Sequence, residues 1–402
     1  MKKIVLEGTM LAVSEMMGKN RSGLVRVAEE IADNLVALNE GNIYFANNTY
    51  FQNFHNKLQD YVLKKYSPAM VEKIISKKPL YLFEVLKLKG LWYKYPWLLF
   101  PSVKMKSLDK FDIFHSFYYP FSRKVAKHKI TKCITFYDII PLKRPGNPGW
   151  IVNLTQKIVD SIEDNFAISI SEFSRAELLE YNRNLDPSRI FVGQLAASKT
   201  LFFPNKDEME WKRVMEKYQL PEQYLFCIAS NDPRKNIHHV VKSFDKLVNQ
   251  ERPKDLYLFL AGNSAHGQAV INEVKISDET RSRILVSPVF IDEADLAAIY
   301  SNALSFVYMS DYEGFGLPVL EAMQCATPTI SSNNTSIPEV VGTAGILIPP
   351  KDEDMLAQSM LNVFNSKTLR DELSIKGLKR SEYFSWEKTA KSYAEIFDRI
   401  SR

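Results

Sequence analysis

Two glutamates lie eight residues apart around a glycine-rich turn, in the stretch DYEGFGLPVLEAMQCATPTISS at residues 311–332. Glu313 precedes the turn, and Glu321 lies on the helix predicted to follow it. Because two carboxylates would repel a bare phosphate, we expect them to accept hydrogen bonds from neutral hydroxyl groups. The pair could therefore hold the hydroxyls of a sugar and those of a ribose.

The turn between the two glutamates could bind an anion. Gly314 and Gly316 permit a tight turn and a close approach of a ligand, and Pro318 suits the first turn of a helix. The amides of Gly316 and Leu317 then point outwards at a helix N-terminus, which favours negative charge. A sugar joined through a diphosphate to a ribose would use these amides and both carboxylates.

Two other interpretations of this stretch stay open. A strand followed by a glycine turn and a helix is common in α/β proteins, and Glu321 could be a solvated acid favoured by the helix dipole. The two glutamates could instead be the acid and the nucleophile of a glycosidase. Hydrolysis needs both carboxylates across one bond, however, and this spacing better suits two contacts with one ligand.

A second cluster of charge lies in CIASNDPRKNIHHVV, residues 227–241. A strand is predicted to end at Ser230, and Arg234, Lys235 and Asn236 open the next helix. Two cations beside a helix start indicate an anion site, although a solvated basic pair would have the same pattern. Both clusters follow strands of the same predicted domain, which favours a shared role in binding one phosphorylated ligand.

Other cofactor and metal signatures are missing from the sequence. It has neither a G-x-x-x-x-G-K phosphate loop nor a G-x-G-x-x-G fingerprint, so a dinucleotide-dependent redox enzyme is unsupported. Its one acidic D-x-D pattern, at residues 352–354, precedes a helical segment and suits an N-cap and first turn. We therefore predict no cofactor and no metal site.

Composition places the chain among ordinary globular proteins. The 402 residues suffice for two domains, and a net charge of +5 lacks the density typical of nucleic-acid binders, so we expect no nucleic-acid partner. Three dispersed cysteines, an odd count, favour a reducing cytoplasm over a disulfide framework. The start has too short an apolar run for a signal peptide, and no run approaches the length of a membrane span.

Short apolar runs alternate with helical patterns along most of the chain, which predicts parallel sheets buried on both faces. The predicted strands are KIVLEG, IYFAN, FDIFHS, KCITFYD and FAISIS in the first half, and QYLFCIAS, LYLFLAG, RILVSPV, LSFVYMS, PTISS and GILIPP in the second. We therefore predict an α/β fold with two doubly wound domains, whose strand-end loops face a central cleft. The predicted domains are residues 1–203, residues 204–384, and a C-terminal helix at 385–402 that packs back on the first.

The second half of the chain resembles the retaining family-4 glycosyltransferases, which have the two-domain GT-B fold. The segment EGFGLPVLEAMQCATPTISSNNTSIPEVVGTAGILIPP is similar to their E-x7-E region, and DPRKN to their phosphate-binding turn. FIDEADLAAIYSNALSFVYMS, SEFSRAEL and FSWEKTA resemble further family stretches, and RSGLVRVAEEIADNL resembles the N-terminal glycine loop and first helix. The resemblance is strong from about residue 165 to 390 and thinner before it.

The resemblance implies a role for each matching residue of the second domain. Glu313 would contact the donor sugar, and Glu321 the ribose hydroxyls. Lys235 and Arg234 would neutralise the diphosphate. The remaining donor-binding positions would lie in the glycine turn and at the end of the first strand of this domain: Gly314, Phe315, Gly316, Leu317 and Ser230.

In the first domain the resemblance implies that Gly23 lies near the diphosphate and the acceptor. His115 and Asp138 would end strands, face the cleft, and position the acceptor or the sugar. A buried core histidine is the alternative for His115. The sequence departs from the family at Tyr137, where many relatives have histidine, and at Ala229 and Ala326, where glycine is common.

These likenesses predict a metal-independent, retaining hexosyltransferase that uses a UDP- or GDP-sugar, with a mannose-like hexose as the first expectation. The acceptor would be a saccharide or lipid-linked saccharide of a bacterial surface polysaccharide. Residues 77–106 mix lysines with aromatic residues, which suits the inner-membrane surface or the domain core. A phosphorylase and a catalytically weak binding subunit stay open, as do the sugar, base, linkage and oligomeric state.

Overall fold

The computed structural model describes residues 2–17, 23–38, 42–46, 52–66, 105–144, 146–230, 232–262 and 264–401. It divides the chain into two compact units. Unit 1 comprises Met1–Leu195 together with Trp386–Arg402, and unit 2 comprises Ala196–Ser385. The chain therefore enters unit 2 at residue 196, before the boundary between residues 203 and 204 that we predicted, and its last helix belongs to unit 1. Most of the basic and aromatic segment 77–106 lies outside the described residues.

Unit 1 is built on a parallel sheet of six strands, in the order β2-β1-β3-β4-β5-β6. Every residue of the first and third strands is buried, as expected for a sheet covered on both faces. Five of the strands were predicted. The strands are β1 (Ile4–Glu7), β2 (Ile43–Ala46), β3 (Ile113–Ser116), β4 (Thr131–Phe136), β5 (Phe166–Ser169) and β6 (Ile190–Val192).

The sequence prediction missed β6, a strand of three residues at the edge of the sheet. The helices of unit 1 connect its strands, and the last of them comes from the C-terminus. The helices are α1 (Thr9–Met17), α2 (Gly23–Leu38), α3 (Gln52–Lys65), α4 (Arg123–Lys127), α5 (Ile140–Lys143), α6 (Gly149–Ile162) and α7 (Glu172–Tyr181), with the C-terminal helix Trp386–Ile400.

Unit 2 contains a second parallel sheet of six strands, in the order β12-β11-β10-β7-β8-β9. All six were predicted, and the two parallel sheets confirm the α/β fold with two doubly wound domains. The strands are β7 (Tyr224–Ala229), β8 (Tyr257–Gly262), β9 (Ile284–Val286), β10 (Ser305–Tyr308), β11 (Thr329–Ser332) and β12 (Ile346–Ile348).

The helices of unit 2 cover its sheet. In the helix after β7, the predicted apolar stripe is buried in the core of the unit: Ile237, Val240, Val241, Phe244 and Leu247. The helices are α8 (Glu208–Tyr218), α9 (Ile237–Glu251), α10 (Ser264–Glu273), α11 (Asp278–Ser282), α12 (Leu296–Asn302), α13 (Leu317–Gln324), α14 (Ile337–Val341), α15 (Glu353–Asn365) and α16 (Lys367–Ser381), and the C-terminal helix of unit 1 is therefore α17.

Candidate functional site

The strand order of unit 2 reverses between β7 and β10. β7 is the first strand of the unit along the chain, and it lies between β8 and β10. In an open α/β sheet, the crevice at such a reversal, beyond the carboxyl ends of the strands, is where ligands bind. The loops that leave β7 and β10 contain the two charged clusters identified in the sequence.

A cluster of three side chains meets on one carboxylate oxygen at this crevice. Glu313 Oε1 lies 2.5 Å from Lys235 Nζ and 2.8 Å from Arg234 Nη1. The Tyr308 hydroxyl donates to the same oxygen at 2.7 Å, and Lys235 Nζ also donates to that hydroxyl. The structure thus brings Glu313 together with Lys235 and Arg234, which precede it by 78 and 79 residues along the chain.

The turn after β7 is shaped by its own side chains. Asp232 accepts hydrogen bonds from the Arg234 amide at 3.0 Å and from Arg234 Nε at 2.5 Å, which fixes the start of the short 3-10 turn Pro233–Lys235. Asn236 ends the turn with φ of 53°, a left-handed conformation that asparagine tolerates better than most residues. Ser230 Oγ accepts from the Asp232 amide at 3.3 Å, so this side chain supports the turn.

Hydrogen bonds join this turn to the loop after β10. Asn236 Nδ2 donates to the Met309 carbonyl at 2.9 Å and to the Asp311 carboxylate at 2.6 Å. The Asp311 amide donates to the Arg234 carbonyl at 2.7 Å. The cations and Glu313 are therefore held in place by backbone contacts as well as by their own ion pairs.

Burial and charge act against each other in this cluster. Burial alone would raise the pKa of the Glu313 carboxyl, but Lys235 and Arg234 outweigh it and lower that pKa to about 2. Burial lowers the pKa of Lys235 by more than the Glu313 carboxylate raises it. Since Glu313 stays ionised, the cluster keeps a fixed carboxylate beside Lys235 and Arg234 at neutral pH.

Tyr308 belongs to this cluster, and sequence reasoning missed it. It is the last residue of β10 and is 3% exposed, and burial followed by the Glu313 charge raises the pKa of its hydroxyl well above 10. The hydroxyl is thus neutral and can accept from Lys235 while it donates to Glu313. The signal available in the sequence was a tyrosine at the carboxyl end of a predicted central strand, five residues before Glu313.

The glycine turn begins α13 as predicted. Gly316 is the N-cap residue with φ of 112°, a conformation that requires glycine, and Leu317 and Pro318 open the helix. Glu321 lies one turn into α13 and is buried. Gly314 precedes this turn, and the Phe315 ring packs edge-on to Phe384 with centroids 5.8 Å apart. Phe315 therefore anchors the turn in unit 2.

Comparison with known proteins identifies the family. Residues 210–380 match the family described as "Glycosyl transferases group 1". The chain is 33% identical over 265 residues to O-antigen chain mannosyltransferase B of Escherichia coli. This alignment covers 65% of this chain and 68% of that protein. The chain belongs to the group 1 glycosyl transferases.

Two further similarities extend the comparison. This glycosyltransferase is 26% identical over 277 residues to the serotype-specific mannosyltransferase WbdA of Escherichia coli, and the match spans 67% of the chain but about a third (33%) of that longer protein. The solved sucrose-phosphate synthase from Thermosynechococcus elongatus superposes with a TM-score of 0.67 at 17% identity, covering 100% of this chain and 99% of that one. These findings show a GT-B fold.

In this glycosyltransferase, His115 lies in the core of unit 1. The residue is completely buried, its Nε2 lies 3.1 Å from Thr135 Oγ1, and its ring packs against Phe117, Tyr393 and Phe397. Burial lowers the pKa of His115 to about 3, so the ring is neutral. The expectation that His115 faces the cleft is therefore wrong, and the residue is a core histidine. Tyr393 and Phe397 of the C-terminal helix cover its ring.

The other two predicted residues of unit 1 lie at element ends. Asp138 follows β4 and accepts a hydrogen bond from the Ile140 amide at 3.0 Å, at the start of α5. Gly23 is the first residue of α2, and a methyl group at its Cα would meet no atom within 4 Å. Asp138 and Gly23 thus lie at element ends, whereas His115 is buried within β3.

The acidic D-x-D pattern has a local role. Asp352 caps α15, where its carboxylate accepts from the Met355 amide at 2.9 Å. Among the described residues, no group of three or more His, Cys, Asp or Glu side chains could hold a metal ion. Within the same residues, no helix combines the length and the apolar character needed to cross a membrane.

Proposed function

We propose that this glycosyltransferase moves a mannose-like hexose from a nucleotide diphosphate sugar to a hydroxyl of a saccharide or lipid-linked saccharide, with retention of configuration, in bacterial surface polysaccharide synthesis. The observation that carries this proposal is the ion-pair cluster of Glu313, Lys235 and Arg234 at the strand reversal of unit 2. The names of two relatives, both mannosyltransferases and one an O-antigen enzyme, support the proposed sugar and pathway class.

The cluster suits the departure of a diphosphate. In the proposed reaction, negative charge builds on the leaving diphosphate oxygen as the bond to the sugar breaks. Lys235 and Arg234 would stabilise that charge, together with the amides of Gly316 and Leu317 at the start of α13. No metal or other cofactor is then needed to neutralise it, which is why we propose a metal-independent enzyme.

The two glutamates would bind the two sugars of the donor. Lys235, Arg234 and Tyr308 all contact Oε1 of the Glu313 carboxylate, and we assign Oε2 to the hydroxyls of the transferred sugar. Glu321 is a buried carboxylate on the helix that follows the turn, and we assign it to the ribose hydroxyls. Gly314, Phe315 and Ser230 would shape the loops around the diphosphate.

Retention would follow from attack on the face that the diphosphate leaves. The acceptor oxygen forms the new bond to the anomeric carbon while the sugar–phosphate bond breaks. The acceptor proton passes to the departing phosphate oxygen, so atoms and charge balance without a protein nucleophile. Asp138 and Gly23, at element ends of unit 1, are our candidates for positioning the acceptor.

The compartment follows from the donor and from the cysteines. Nucleotide sugars are cytoplasmic substrates, and Cys133, Cys227 and Cys325 are all buried free thiols. We therefore propose a cytoplasmic enzyme, acting at the inner face of the membrane if its acceptor is lipid-linked. Sequence alone supports a membrane role for residues 77–106.

Nucleotide release from a panel of UDP- and GDP-sugars tests the proposal. Lys235→Ala should fold but release nucleotide roughly 10²–10³ times more slowly, because one preorganised cation is lost. Lys254→Ala, at an exposed position of the same unit, is the control and should match the parent. Parent-like turnover of Lys235→Ala would remove this residue from the mechanism.

Nucleotide binding separates the enzyme from the catalytically weak binding subunit. Glu321→Ala should weaken nucleotide binding, and calorimetry showing unchanged affinity would end the ribose assignment. The parent protein could bind a nucleotide sugar and yet release nucleotide from no sugar of the panel, whichever acceptor is added. In that case the chain is a binding subunit and the proposed enzyme activity is wrong.

A further inference from the structure

Positive charge is concentrated in one part of this chain. Residues 73–132 contain 14 Lys and Arg against 3 Asp and Glu, a formal net charge of +11. The whole chain carries +5, so the rest of it carries −6. Such an asymmetry within one chain indicates contact with an acidic partner rather than general solubility.

The described part of this region folds around one apolar cluster in unit 1. The short helix α4, the 3-10 turn Met105–Lys110 and the loop 128–130 contribute to it, with Val125, Leu108 and Ile130 among its buried residues. The three segments are neighbours, because α4 leads directly into the loop 128–130 and His128 of that loop lies 3.2 Å from Asp109 of the 3-10 turn. Their exposed side chains therefore belong to one region of the protein surface. We call the exposed cations on it the basic surface: Lys110, Arg123, Lys127 and Lys129.

The acidic residues of these segments are used within the protein. Asp109 lies 3.2 Å from His128 Nε2, and Asp112 accepts from the Lys3 amide at 2.7 Å. Within the part of the chain that the structure describes, Arg123, Lys127 and Lys129 form no ion pair. Their charge is therefore available to a partner.

The basic surface lies away from the strand ends that bind ligands in this fold. The loop 128–130 leads directly into β4 at Thr131, and the turn Met105–Lys110 ends just before β3 at Ile113. Both segments are thus at the amino-terminal edge of the sheet, whereas ligands bind beyond the carboxyl ends. The basic surface is separate from the proposed transfer chemistry.

We propose that the basic surface docks unit 1 on an anionic lipid bilayer. Clusters of four or more Lys and Arg are typical of proteins that bind acidic lipid headgroups. A bilayer is favoured over nucleic acid or an acidic protein because the sequence leading into this surface mixes lysines with Trp92, Tyr93 and Trp97, residue types that prefer membrane interfaces. The choice of a bilayer also rests on the proposed lipid-linked acceptor.

Vesicle co-sedimentation of the full chain tests this proposal. The probes are phosphatidylcholine vesicles with and without phosphatidylglycerol, at low and at physiological salt. Each cation near an anionic surface strengthens partitioning about fivefold, so Arg123→Gln with Lys127→Gln and Lys129→Gln should weaken it about 100-fold. The reversal of the same three residues to glutamate should abolish sedimentation.

A matched control keeps the test specific to this surface. Lys157→Gln with Lys254→Gln and Lys275→Gln removes the same charge from exposed positions elsewhere, and this variant should sediment like the parent. The proposal fails if the parent does not bind anionic vesicles, or if it binds neutral vesicles as tightly as anionic ones. It also fails if the control variant loses as much binding as the test variant.

The assay needs neither donor nor acceptor, so its outcome is independent of the proposed reaction. Nucleotide release with a soluble acceptor should be unchanged in the test variant. A chain that transfers sugar but ignores anionic vesicles would overturn the docking surface alone. A chain that binds vesicles but transfers no sugar would overturn the proposed function alone.

Discussion

At the scale of single residues, the donor site depends on how three groups share one carboxylate oxygen. Glu313 Oε1 is contacted by Lys235, Arg234 and Tyr308. Arg234 and Lys235 are half-buried, so the loss of the carboxylate would leave two poorly solvated cations side by side. The carboxylate therefore has a structural role in addition to its proposed contact with the sugar.

Tyr308→Phe is expected to lower kcat/KM for the donor by about 10- to 100-fold, because Lys235 and Glu313 each lose a hydrogen-bond partner. The phenyl ring keeps its stacking on Phe306, whose centroid lies 5.6 Å away. Steady-state nucleotide release measures the effect. Tyr224→Phe is the control: it removes the bond to the Ile299 carbonyl at 2.6 Å, and it should lose stability without losing turnover.

Ala326 shows how one departure from the family is accommodated. It follows α13 with φ of 56°, and the amides of Ala326 and Thr327 donate to the Met323 and Ala322 carbonyls at 3.0 and 2.9 Å. This is the hydrogen-bond pattern of a Schellman cap, in which glycine is the usual left-handed residue. Alanine at this position carries conformational strain.

Ala326→Gly is therefore expected to stabilise unit 2 by about 0.5–1 kcal/mol, the strain relieved less the extra entropy of the unfolded glycine. Denaturant unfolding of the two proteins measures the difference. Ala303→Gly, at a helix end with an ordinary φ of −70°, should destabilise instead. An unchanged midpoint for Ala326→Gly would show that no strain is stored there.

At the scale of elements, the C-terminal helix is fastened to unit 1 by a close contact. Tyr393 on α17 hydrogen-bonds Thr135 Oγ1 of β4 at 3.1 Å. A methyl group at Gly193 would lie 2.5 Å from the Tyr393 ring and 2.8 Å from Ile168 Cγ2. Gly193 therefore makes room for the ring that holds α17 in place.

Gly193→Ala is expected to destabilise unit 1 by about 2 kcal/mol and to expose α17, because the added methyl overpacks the Tyr393 contact. Limited proteolysis near residue 386 should be faster in the variant, and denaturant unfolding gives the free energy. Gly149→Ala is the matched control, since a methyl group there meets no atom within 4 Å. Equal behaviour of the two variants would contradict the proposed fastening.

At the scale of the whole molecule, the two units carry different buried ionisable groups. Unit 1 contains His115, which burial keeps neutral, and unit 2 contains Glu313, whose pKa is lowered to about 2. An unfolded chain protonates His115 near pH 6.5, whereas folded unit 1 does not until about pH 3. The unfolded state then binds more protons, so unit 1 becomes less stable as pH falls through this range.

Between pH 6 and 4, unit 1 should thus lose up to about 1.4 kcal/mol of stability per pH unit through His115. Hydrogen exchange at β4 amides, followed across this range, reports unit 1 separately from unit 2. His115→Leu should flatten this dependence even if its absolute stability differs, and His238→Asn, in unit 2, should leave it unchanged. If the stability of unit 1 depends on pH as steeply in His115→Leu as in the parent, His115 is not the cause of that dependence.

Local sequence was enough to predict the features that depend on neighbouring residues. Eleven of the strands, the glycine turn that opens α13, and the apolar stripe of α9 follow from local periodicity and backbone preference. The positions of Glu313 and Lys235 also followed, because residues after parallel strands meet at one edge of a sheet. The family resemblance rested on these same local segments.

Contacts between side chains that are far apart in the sequence could be identified only in the folded chain. Tyr308 joined the cluster because a strand-end side chain points to one of two faces, and local sequence does not say which face meets Lys235. His115 became a core residue because α17, some 280 residues later, covers it. Such contacts are set by packing between distant elements, and no local pattern carries that information.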